Sequence, residues 1–203
     1  MVPRGTGLAQ RMYSRACVRL AALFLALSIS AASARPVRAA GRDEWQVVVR
    51  AGVAMVNVDN RQPWGNATAL DLEYGFLDAW AARVSLEGSL HSVSANASTG
   101  QPGGSIHTEA ALLGVTYAID ILRLVPYFDL ELGVAQVGGA VLVPRTMLAS
   151  EFGAGGDYFV TRRVIAGLSF QYLYRPIDLI SNPLNLGNSP FIFSATARLS
   201  WIF

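Results

Sequence analysis

The residues able to do chemistry in this sequence recur at every second position. Asp71 and Glu73, Arg83 and Glu87, and Asp129 and Glu131 each occupy one parity of a segment whose other parity is apolar. Arg50, Glu151, Asp157 and Arg198 are placed the same way in further segments. Side chains two apart in an extended strand point to one face. This spacing therefore gathers carboxylates and guanidiniums on one surface, where they would pair and hydrogen-bond. No motif for covalent chemistry accompanies them. His91 and His107, with Glu109, lack the defined spacing of a zinc site. Ser92 or Ser94 with His91 and Glu87 is the local candidate for a nucleophile, base and orienting group. Neighbours in a strand, however, face opposite ways. The Gly153–Gly156 cluster has no following Lys-Ser/Thr and no helical pattern, so it is read as close-packed strand. No catalytic, cofactor or metal residues are expected.

The elements that carry these residues alternate with period two, the signature of strands. The last is the cleanest. Phe191, Phe193, Ala195, Ala197, Leu199, Trp201 and Phe203 share one parity; Ser194, Thr196, Arg198 and Ser200 lie on the other. Comparable segments begin near Trp45, Thr68, Trp80, Tyr127, Leu148 and Ala166. An eighth, through Ala111–Tyr117, has His107 and Glu109 on its apolar parity, which implies a start near Ala110 or a bulge. In the sixth, Ser150 falls on the apolar parity. Short links are expected near 77–80, 119–125 and 159–163. Longer ones, rich in Gly, Pro, Asn and Ser, are expected near 58–66, 91–106, 138–146 and 176–190.

Composition limits the class. The 203 residues are 52% hydrophobic and 15% charged, against about 25% charged for a soluble domain. All 16 cations are Arg, six of them before residue 41, and all 14 carboxylates follow it. The remainder thus carries ten Arg against fourteen acids, and nucleic acid is excluded as a partner. Arg11, Arg15 and Arg19 precede an apolar run over Leu20–Ala32, followed by Ala32-Ser33-Ala34. That is the pattern of an export signal, assigned to residues 1–40 with cleavage near 34–40. Residues 41–203 form the second unit. No later apolar run is long enough for a spanning helix. A hydrophobic exported chain of this kind enters a membrane as a closed β-barrel.

An eight-stranded antiparallel transmembrane β-barrel places the apolar parity toward lipid and the charges in the lumen. Arg50, Arg83 and Arg198 are expected to bridge Glu73, Glu87, Asp129 or Glu131 across neighbouring strands, with Asp71 in the same network. Trp45, Tyr74, Trp80, Tyr117, Phe128 and Tyr158 fall at one end of their strands, as an aromatic girdle would.

The sequence resembles the small outer-membrane β-barrel family of Gram-negative bacteria, which includes OmpA-like, OmpW-like and OmpX-like proteins. The resemblance covers residues 45–203. It is carried by Phe193-x-Ala195-x-Ala197-x-Leu199-x-Trp201-x-Phe203, similar to the family's assembly signal, and by the Pro126–Gly133 and Gly153–Tyr158 segments. It implies location in the bacterial outer membrane, contact with outer-membrane lipid, escort by periplasmic chaperones and insertion by the outer-membrane assembly machinery. Since the sequence ends with this strand, tethering through a peptidoglycan-binding domain is not expected. A monomer without cofactor is expected, in a structural role with narrow or gated small-solute passage. The alternatives are a surface adhesin acting through four long loops and, less favoured, a lipid A-modifying enzyme.

Overall fold

The structure, a computed structural model, describes residues 42–57, 62–95, 103–119, 124–176 and 191–203. The export signal assigned to residues 1–40 lies outside them. Eight strands follow in order: β1 (Trp45–Asn57), β2 (Trp64–Leu77), β3 (Trp80–Val93), β4 (Gly104–Ala118), β5 (Leu124–Gly139), β6 (Leu142–Phe159), β7 (Val164–Tyr174) and β8 (Phe191–Ile202). Each pairs antiparallel with its sequence neighbours, and β1 closes on β8 to complete a barrel. At the seam the backbone of Trp45 and that of Phe203 exchange two hydrogen bonds, of 3.0 and 3.3 Å. Closure leaves no edge along the barrel wall, which is what a lipid-embedded sheet requires.

The alternation sorts the side chains. Leu132 is 57% exposed and Trp201 52% exposed, while Arg50, Glu131 and Arg198 are buried inside. Leu199 and Phe203 lie on the exterior with Trp201, and Phe193 is partly covered there. No helix among the described residues is long and apolar enough to cross a membrane. The eight strands have 11–18 residues, at or above the roughly 9–11 that a tilted spanning strand needs.

Two expectations are corrected. Neither a late start nor a bulge occurs in β4: its pairing with β3 runs unbroken from Gly104 to Tyr117. Glu109 is simply exposed on the outer wall, where that wall turns polar toward the loop end. The third long loop is also absent. Residues 138–146 belong to a hairpin in which Ala140 and Val141 alone separate β5 from β6. Gly139 takes φ 150°, a conformation that costs glycine little. Pro144 lies where the register shifts, between Val137↔Arg145 and Gly139↔Leu142, on a stretch of β6 paired with β5 alone. Its missing N–H forfeits no ladder bond there. Gly and Pro mark this turn and bulge rather than a loop. Ser150 does sit on the outer parity; its hydroxyl donates to the Glu131 carbonyl at 3.3 Å, which satisfies it.

Candidate functional site

Eight strands enclose a lumen that side chains fill. At its centre Arg83 of β3 has no exposed surface. Its Nη1 lies 3.0 Å from Asp129, Nη2 2.9 Å from Asp71, and Nε 3.1 Å from Glu131 and 3.8 Å from Glu73. Nε also donates to Ser85 at 3.0 Å. Arg50 of β1 reaches Asp71 at 2.8 Å and donates to Glu87. Asp71 Oδ2 is thus shared by two guanidiniums. Arg198 of β8 donates to Glu73 at 2.9 Å, lies 3.4 Å from Asp157, and covers the Tyr127 ring at 4.5 Å from its centroid.

Several of these pairs pass over an intervening strand instead of joining neighbours as the sequence suggested. The register explains how. Arg83 faces Gly114 on β4, which faces Glu131 on β5. Arg50 faces Ala69 on β2, which faces Glu87 on β3. Arg198 faces Gly167 on β7, which faces Asp157 on β6. In each case the middle position bears a hydrogen or a methyl group, so the long side chains meet above it. The sequence signal was available: Gly or Ala on the inward parity between two charged strands.

Glu151 and Asp157 also lie inside. Asp129, Glu131 and Glu151 bring one carboxylate oxygen each to within 4.8 Å of the others, a grouping that sequence reasoning missed. It depends on β5–β6 register, in which Glu131 and Glu151 are direct partners.

Apolar clusters close both ends of the charged zone. Val125, Phe159, Ile165 and Ile202 pack at the short-turn end; Val56, Ile106 and Val137 pack at the loop end. Between the loop-end cluster and Arg50 lies a cavity of about 30 Å³ bordered by Ser89, Thr108, Gln171, Ser194 and Thr196. That is room for water, not for a substrate.

The histidines part company. His91 is buried in the lumen, 2.7 Å from Ser89 Oγ and 3.1 Å from the Pro63 carbonyl. His107 is on the opposite face, so the two form no metal pair. Ser92 points outward, away from His91. Because Pro63 O only accepts, His91 Nδ1 donates to it, while Nε2 and the Ser89 hydroxyl hydrogen-bond each other. Ser89 in turn bonds Thr108.

Outside, aromatic rings mark both ends. Trp45 packs at a tilt against Tyr74 and Trp80 against Tyr117, each with centroids 4.8 Å apart, near the short turns. Phe128 and Tyr158 lie on the same outer face. Tyr172 meets Tyr174 and Phe191 toward the loop end, at 5.9 and 5.3 Å.

Known structures share this architecture. Neisserial surface protein A superposes with a TM-score of 0.63 at 14% identity, covering 78% of this chain and 97% of that one. This chain has the fold of the small outer-membrane β-barrels. Ail, the attachment invasion locus protein of Yersinia pestis, aligns with a TM-score of 0.55 in its complex with the heparin analogue sucrose octasulfate. The identity is 12%, with 80% and 99% of the two chains covered. The outer membrane protein OprG of Pseudomonas aeruginosa gives 0.52 at 13% identity over 80% and 98%. No protein-family model matches the sequence, and no curated protein matches it. At such identities the likeness is one of fold.

Proposed function

We propose that this chain is a monomeric outer-membrane barrel with a structural role and a lumen closed in its resting state. The observation that carries this reading is Arg83, fully buried in the lumen and held by four carboxylates from β2 and β5. Any small-solute passage would require this hub and the apolar clusters at both ends to rearrange. Folded protein in planar lipid bilayers should show no unitary conductance steps at moderate voltage. Regular steps would overturn the closed-lumen reading.

The terminal strand, with Phe193, Leu199, Trp201 and Phe203 on one face, supports delivery by periplasmic chaperones and insertion by the outer-membrane assembly machinery. The reading is non-enzymatic: His91 and Ser92 face opposite sides of β3, and the cavity beside Ser89 is water-sized. Membrane fractionation followed by detergent extraction tests the location.

A second reading, surface interaction, is favoured by the β5–β6 hairpin. β6 has 18 residues where β7 has 11, and Val143 near the hairpin tip is 74% exposed. Ail, of the same fold, was solved with a heparin analogue; a sulfated polysaccharide is therefore the first ligand to try. Binding lost on shortening the hairpin, with the barrel still folded, would support this role.

A further inference from the structure

We propose that the short-turn end of the lumen is a built site for internal water, with room for about two molecules. Gln46 of β1, Thr116 of β4 and Arg198 of β8 border one cavity there, together with Tyr127, Asp157 and Ala81. The site bridges opposite walls, since β4 and β8 are four strands apart in either direction round the closed ring. Short inward side chains make the room. Ala81 is buried and is the register partner of Thr116, and Ala118 follows Thr116 on the same face of β4.

Three unpartnered side chains are the independent reason. Gln46 is 3% exposed, Thr116 5% and Arg198 3%. Gln46 Nε2, Thr116 Oγ1 and Arg198 Nη1 are buried and have no hydrogen-bond partner among the described residues. The other two guanidinium nitrogens of Arg198 are engaged: Nη2 donates to Glu73 at 2.9 Å and Nε to Ser200 at 3.4 Å. A buried donor or acceptor left unpaired is costly. Three such groups around one space call for a guest that both donates and accepts.

Charge and size then select water. The Arg198 guanidinium repels a cation. Glu73 and Asp157, which pair with it and also line the cavity, repel an anion. A neutral guest remains. The cavity measures about 30 Å³, and a single water takes about 10–15 Å³ and two to four polar partners. Val125, Phe159 and Ile165 line the rest of it, which leaves the polar atoms as the anchoring points. Bound water would carry hydrogen bonds from Arg198 on one wall to Thr116 on the other. The centre of the lumen is tied by ions; its short-turn end is tied by solvent.

The test follows dipolar transfer of magnetisation from water to the Gln46 side-chain amide, by NMR on the folded full barrel in detergent. The unmodified barrel should show the cross-peaks of a long-lived water. Ala81→Val, which adds two carbons facing the cavity, should cut them severalfold while the strand amide signals keep their positions. Absence of the cross-peaks in the unmodified barrel would overturn the proposal. So would undiminished cross-peaks in Ala81→Val, as expected if exchange through the Thr116 or Tyr127 hydroxyl relayed them. Should that variant fail to fold, a high-resolution crystal structure of the unmodified barrel decides. Density for water within hydrogen-bond distance of Gln46 Nε2 or Thr116 Oγ1 is expected, and none at either atom rejects the site.

Discussion

Arg50 and Arg198 are direct register partners across the β1–β8 seam, yet their guanidiniums serve different carboxylates. Arg50 bonds Asp71 and Glu87; Arg198 bonds Glu73 and Asp157. Two like charges tolerate this adjacency because each has its own acids.

The separation makes Arg198 sensitive to truncation. Arg198→Ala would leave Glu73 and Asp157 without that partner and uncover the Tyr127 ring. Removing one member of a buried pair costs on the order of 3–5 kcal/mol. The variant should show a smaller heat-modifiable folded fraction on gels and a lower urea midpoint. An unchanged midpoint would show that the Arg198 pairs contribute little to holding the fold.

The spacer glycines should be as critical as the charges they separate. A methyl group on Gly114 would strike Glu131 and the backbone carbonyl of Leu130. Overpacking of this kind costs about 1–3 kcal/mol, and here it would also press on the Arg83–Glu131 pair. Gly88 is on the outer wall, where an added methyl meets nothing closer than 3.8 Å. Chemical denaturation should therefore find Gly114→Ala destabilised and Gly88→Ala near the parent. Equal midpoints for the two would refute the spacer role.

The lipid-facing wall can be probed at Leu132. Leu132→Arg should cost roughly 2–4 kcal/mol in a bilayer, as expected for Arg near mid-depth. Refolding equilibria in phospholipid vesicles measure it. A cost near zero would mean that this position does not meet acyl chains.

Deleting Phe203 removes the two backbone hydrogen bonds that it exchanges with Trp45, along with an exposed aromatic ring at the short-turn end. The truncated barrel should refold more slowly and unfold faster, whereas Phe203→Leu, which keeps the backbone, should retain closure. Comparing their refolding half-times in detergent separates the seam bonds from the ring.

The strand pattern was legible because one physical variable, lipid outside and a narrow polar centre, acts on every strand. Eight strands, the outward Leu199 and Trp201, and the inward Arg50 and Glu131 follow from alternation alone. Pairing was less legible. Which acid meets Arg83 depends on how adjacent strands are staggered, and parity is blind to stagger. Glu131 and Glu151 become partners only through that stagger. Local punctuation also misled: Gly139 and Pro144 read as a loop, although one turns the chain sharply and the other occupies a bulge. The polar outer face of β4 at His107 and Glu109 reads as a defect unless the strand continues beyond the apolar band.

The β5–β6 hairpin carries its own implication for how this molecule could be used. A reporter peptide spliced between Ala140 and Val141 would ride on a stiff two-stranded mast, at a defined height and heading.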